Sequence, residues 1–167
     1  MQLSVKAIQL LRHVLTYTGE KETDANGNER DAARRLNGVE SSQRRHFYKN
    51  TEAVVNEYND TVKAMFDENN KKNKANREQV MADNPKQENE EETVYTARVD
   101  ALVNKVTNES INEMSKEIKA LGEAQHEITL TPQTLDVVKK YYAEFGETTG
   151  FTAADDVVIE EVEEALQ

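Results

Sequence analysis

His13, His46 and His126 are the side chains best placed by type to hold a metal, yet they lie far apart in the chain. None has a metal-spaced neighbour, so each reads as a helix-face or strand-edge residue. There is no His-Glu-x-x-His pair, no Walker-type loop and no Gly-x-Gly-x-x-Gly turn. Asp155-Asp156 and the glutamate clusters beyond them lack the alternating oxygen ligands and central glycine of a calcium loop. They read instead as a match to a helix dipole and as a solvated face. With no Trp, no Cys and only 6 Gly among 167 residues, the chain reads as a non-enzyme. No catalytic residue, metal ligand or cofactor is assigned.

Two charged constellations remain. Arg30, Arg34, Arg35, Arg44, Arg45 and Lys49 are interleaved with His46, Phe47 and Tyr48, a pattern able to bind RNA or DNA. The rest of the chain opposes that use, because its net charge is −11 and would repel a polyanion. Residues 1–49 carry nine basic and six acidic side chains; the remainder carries twelve and twenty-six. The arginines, Arg34, Arg35, Arg44 and Arg45 among them, are expected to pair with the acidic C-terminal part or with another subunit. No basic residue follows Lys140. Solubility is the plain consequence, and Glu160, Glu161, Glu163 and Glu164 are the candidates for facing a basic partner or substituting for DNA phosphates.

The elements that must position these groups are mostly helical. Leu3, Ser4 and Ile8 predict a helix with Ser4 as N-cap and Leu3–Ile8 as hydrophobic staple, continued by Leu11 and Leu15 and ended at Gly19. Leu130, Thr131, Pro132 and Leu135 repeat that arrangement at an offset of about 127 residues, with Val138, Tyr141 and Tyr142 as the stripe and Gly146 as the end. A short alternating stretch precedes each helix, Gln2–Val5 and Glu127–Leu130. Strands this short need a partner, so the two are expected to pair and to bring the chain ends together.

Residues 20–38 read as a loop, with turn chemistry at Asp24–Asn28, a break at Asn37-Gly38 and a helical turn or two from Arg30 to Leu36. From Val39 to about Asn69, Tyr48, Thr51, Val55, Tyr58, Val62 and Met65 recur at steps of three and four, a coiled-coil seam. Residues 70–92 show no stripe and read as a solvated connector or a fraying extension of the flanking helices, broken at Asn84-Pro85. A second helix runs from Glu92 to Leu121, with its stripe slipping between Val106 and Ile111. A last helix opens at Thr152, with Asp155 three residues on, and buries Val158, Val162 and Leu166.

The fold expected is mainly α with a minor two-stranded β element. It is a single domain over 1–167: a compact head from 1–20 and 126–167, and a long antiparallel helical hairpin over 39–121 with the polar connector 70–92. The N-terminal stretch lacks a signal-peptide pattern and no apolar run could span a bilayer.

The order of elements resembles a family of small acidic helical proteins of tailed bacteriophages. The residues that carry the likeness are LLRHVL near the start, SSQRRHFYKNTEAVVNEY in the middle and ITLTPQTLDVVKKYY near the end. The resemblance implies phage origin and residence in the host cytoplasm or the virion. The expected function is a non-enzymatic protein–protein interaction role in virion structure or assembly, with a viral or host protein partner or self-association. An acidic DNA-mimic inhibitor of a host enzyme is the alternative, and a regulatory RNA-binding protein using Arg30 to Lys49 is the third.

Overall fold

Ser4 closes a three-residue strand, β1 (Gln2–Ser4), and caps the helix that follows, α1 (Val5–Thr16), its Oγ accepting from the Ala7 amide at 3.1 Å. The computed structural model describes residues 1–151 and 156–167. After α1 come strands β2 (Tyr17–Thr23) and β3 (Glu29–Ala33), then the long helices α2 (Gly38–Asp83) and α3 (Glu92–Glu123). Strand β4 (Gln125–Glu127) leads to α4 (Pro132–Thr149) and α5 (Asp156–Leu166). Among the described residues the fold is mainly α with two small two-stranded sheets. The expected capping at Thr152 and Asp155 lies outside the described residues.

The chain forms two compact units, Met1–Tyr58 with Gly122–Gln167, and Asn59–Leu121. Helix α2 contributes residues 38–58 to the first and 59–83 to the second, so the head draws on more of the chain than its two ends.

In the first unit the terminal stretches pair as expected. β1 and β4 are antiparallel, with Leu3 opposite His126 and Ser4 opposite Gln125. The Met1 ammonium donates to the Ile128 carbonyl at 2.9 Å and the Ile128 amide returns a bond to Met1 at 2.8 Å. The strand at the second end is Gln125–Glu127, upstream of the expected Glu127–Leu130, so the 127-residue offset holds for the helices but not the strands. Thr131 caps α4 as Ser4 caps α1, accepting from the Thr134 amide at 3.2 Å. Leu3, Ile8, Leu11, Leu15, Val138 and Tyr142 all join one core with Phe47, Val162 and Leu166.

Both helix ends placed at glycines need correction. Helix α1 stops at Thr16, and Gly19 lies within β2 at φ 89°, where the register of the β2–β3 pair shifts. A Cβ there would collide with the Thr149 side chain, so glycine lets β2 approach α4. Helix α4 runs past Gly146 to Thr149, with Gly150 as its left-handed cap. At Gly146 the missing side chain makes room for the Phe151 ring, which also stacks on Tyr142 with centroids 4.6 Å apart.

Residues 20–38 are likewise not a plain loop. β2 and β3 form a hairpin whose turn is held by the Asp24 carboxylate, which accepts from the Asn26 and Asn28 amides at 2.8 and 3.0 Å. Cross-strand pairs Lys21–Asp31 and Arg30–Glu22 secure it, the latter at 3.0 Å. Arg30 is therefore in a strand, not a helical turn. Asn37 then opens α2 with a capping box: its Oδ1 accepts from the Glu40 amide and the Glu40 carboxylate from the Asn37 amide, at 2.9 and 3.1 Å.

In the second unit, residues 59–83 of α2 and 92–121 of α3 run antiparallel. The Ser110 hydroxyl donates to Asn69 Oδ1, and Arg77 meets Asp100 at 3.2 Å. The connector is only 84–91, because α2 continues to Asp83. Its seam continues too, as Asn69, Asn73, Asn76 and Val80, all at least partly buried. Ser110 carries the α3 seam across the expected slip, and Ile111 is exposed. The Arg98 guanidinium clasps the connector, donating twice to Glu90 at 2.9 Å and once to the Pro85 carbonyl at 3.2 Å.

Candidate functional site

Arg45, Lys49, Glu52 and Asn56 recur at steps of four, three and four, which sets them on one face of α2. Together with Arg44 and Tyr48 of α2 and Arg12 and Thr16 of α1 they line an open groove of about 530 Å³ in the first unit. Four cations and one carboxylate line it.

Its floor is built by Arg12, a residue with no charge partner in the sequence pattern. Arg12 Nε donates to Thr51 Oγ1 at 2.9 Å and Nη2 to the Tyr48 carbonyl at 2.8 Å. The same guanidinium covers the Tyr48 ring at 4.6 Å from its centroid. The Tyr48 hydroxyl meets Thr16 Oγ1 at 2.7 Å and donates to the Arg12 carbonyl at 3.1 Å. Burial pulls the Arg12 pKa below its ordinary value, against the opposing pull of Tyr48 and Glu52. It stays a cation, since arginine does not deprotonate in proteins.

Above this floor, Arg44, Arg45 and Lys49 have neither ion pair nor hydrogen bond among the described residues. Of the rings beside them, His46 is exposed and the other two are engaged. Phe47 is fully buried in the core and one face of the Tyr48 ring is taken by Arg12. Tyr48 is the one aromatic ring among the lining residues, so the groove offers a base little to stack on.

The other candidates are dispersed. Arg34 turns inward: Nε donates to the Val14 carbonyl at 3.0 Å, Nη1 to Glu144 at 2.6 Å, and the guanidinium lies 4.2 Å from the Tyr141 centroid. It thus pairs with the C-terminal part of the chain and is not a surface residue. Arg35 is exposed and lies outside the groove. Of the four glutamates, Glu160, Glu163 and Glu164 are exposed on α5, whereas Glu161 reaches β1. Its carboxylate accepts from both the Ser4 amide and the Ser4 hydroxyl, the latter at 2.7 Å, and from Gln125 at 3.2 Å. Glu161 is a clasp on the N-terminus of α1 rather than part of an open acidic face.

His13 packs between Tyr17 and Phe145, His46 is exposed and His126 sits on β4. Among the described residues, no three His, Asp or Glu side chains are gathered so as to hold a metal ion. No helix there is long and apolar enough to cross a membrane.

Family models, curated proteins and solved structures give no match to the chain. The reading of function rests on the groove and on the faces left uncovered. Besides the three groove cations, these are Phe66, Met81, Val94, Leu102 and Ile111 of the second unit, all more than a third exposed.

Sequence reasoning expected Arg44 and Arg45 to pair with the acidic C-terminal part or with another subunit; neither makes an ion pair among the described residues, and Arg12 was missed. A usable signal was present: Arg12 lies one position after Leu11 and four before Thr16, at the flank of a buried stripe. An arginine there must either snorkel or find a partner on the neighbouring helix.

Proposed function

We propose that this chain is a non-enzymatic protein–protein interaction protein, phage-encoded and acting in virion structure or assembly, and that the groove on α1 and α2 docks an anionic protein surface. One observation carries this reading: Arg44, Arg45 and Lys49 stand unpaired beside a tyrosine one face of whose ring Arg12 already covers. Cations with so little ring surface beside them suit carboxylates better than nucleotides. The exposed apolar residues of the second unit support an interaction role further, because its buried apolar side chains are only Val99, Val103 and Met114.

The DNA-mimic alternative has less support. Helix α5 offers Asp156, Glu160, Glu163 and Glu164 over eleven residues, and Glu161 is engaged with Ser4. A phosphate-like array needs a longer run of outward charge.

Quantitative mass spectrometry of purified particles tests the proposal. The chain is expected at a fixed copy number in mature virions, or in immature particles alone if it acts only in assembly. Its absence from both would refute a virion role.

A further inference from the structure

Among the charges of the first unit that make no ion pair with the described residues are two sets of opposite sign. The groove presents Arg44, Arg45 and Lys49, and α5 presents Glu160, Glu163 and Glu164, all exposed or partly exposed. None of the six has an ion pair among the described residues, so the two sets do not satisfy each other within one chain. Arg45 and Lys49 are four apart on α2, and Glu160 and Glu164 are four apart on α5, about one helical turn in each case.

The lengths agree as well. Arg45 to Asn56 extends about 16 Å along α2, and the eleven residues of α5 extend about the same. Beside Glu160 and Glu164, one turn earlier, Val157 is 68% exposed, an apolar side chain that the stems of arginine and lysine can cover.

We infer that the occupant of the groove is a second copy of this chain, seated through the outer face of its α5. Glu160 and Glu164 of the incoming helix meet Lys49 and Arg45, and Glu163 meets Arg44. The two surfaces are different patches of one molecule. The contact therefore closes only as a reciprocal pair or a ring, and otherwise extends head to tail. Each of these suits a component used in many copies. The inference rests on the interaction reading of the groove and specifies its partner.

Sedimentation velocity of the full-length chain tests it, with the fold of each variant checked by circular dichroism. Wild type is expected to self-associate at low ionic strength and to dissociate as salt screens the contact. Arg45→Glu with Lys49→Glu, and separately Glu160→Lys with Glu164→Lys, should each weaken association at least tenfold. Mixing the two charge-reversed proteins should restore it, because both contacts are then complementary again. A wild type that stays monomeric, or a mixture that fails to associate, overturns the inference. If the monomer binds a short single-stranded oligonucleotide and loses it on Arg45→Glu with Lys49→Glu, the occupant is a nucleic acid and the inference is again overturned. Self-docking can fail while the chain is still found in particles, so the two readings fail separately.

Discussion

Replacing Glu161 with alanine removes the carboxylate that ties α5 to the start of α1. Three donors lose a partner at once, the Ser4 amide, the Ser4 hydroxyl and the exposed Gln125 side chain, and Ser4 is only 2% exposed. A hydrogen bond to a charged group contributes about 1.5–3 kcal/mol, and a buried donor left unsatisfied costs about 1–3 kcal/mol. These overlap rather than add, because both describe the same bonds, and Glu161 is itself only partly buried. A loss of about 2–3 kcal/mol follows, or about 4–12 °C in Tm for a chain of this size. Glu160→Ala and Glu164→Ala, on exposed positions of the same helix, should change stability by no more than about 0.5 kcal/mol. Urea denaturation followed by circular dichroism reads all three. The pair can be isolated by a double-mutant cycle with Ser4→Ala, where a coupling of about 1 kcal/mol or more is expected. If Glu161→Ala costs no more than Glu160→Ala, the clasp does not hold the terminal elements together and the reasoning fails.

Lys140 holds the Glu40 carboxylate down to a pKa of about 2, with the Asn37 amide and the Tyr141 hydroxyl assisting. A depressed folded-state pKa adds stability above the unfolded-state value, and that stability disappears as pH falls from about 4 to about 2. Acid denaturation of Glu40→Gln should therefore have a shallower limb in that window than wild type; identical limbs would show that the pair is not coupled to folding. Asn73 carries a buried Oδ1 without a hydrogen-bond partner, so Asn73→Leu should stabilise the second unit by about 1 kcal/mol. Slower amide hydrogen exchange across residues 99–114 would record this, and faster exchange would mean that the asparagine makes a needed contact. Gly19→Ala should cost about 1–3 kcal/mol, from its positive φ and its collision with Thr149, and thermal denaturation measures it.

Capping chemistry made the terminal helices readable. Ser4, Thr131 and Pro132 each have one strongly preferred local role, and that role survives folding. Glycine had more than one. At Gly19 and Gly146 it serves close approach by a strand and by an aromatic ring, which no pattern along the chain records. The β2–β3 hairpin was hidden because its strands carry Thr, Glu, Lys, Arg and Asp rather than alternating apolar residues, and cross-strand charges compensate. The extension of α2 was hidden for a related reason. Its seam is occupied by Asn69, Asn73 and Asn76, so periodicity persists while hydrophobicity does not. Among the charges, the expected pairing with the acidic C-terminal part is made by Arg34, through Glu144, and not by Arg44 or Arg45, while the inward turns of Arg34 and Glu161 depend on tertiary partners. Glu161 carried a faint sign of its role, standing three residues after Val158 and one before Val162, at the edge of the buried stripe.

Zero-length carbodiimide cross-linking of intact particles, read by mass spectrometry, tests most directly whether the groove is a protein-docking site. Lys49 should be joined to a glutamate or aspartate of a particle protein, with Glu160 or Glu164 of another copy the specific partner expected. Particles that contain the chain but yield no product at Lys49, while other lysines react, would contradict docking at the groove.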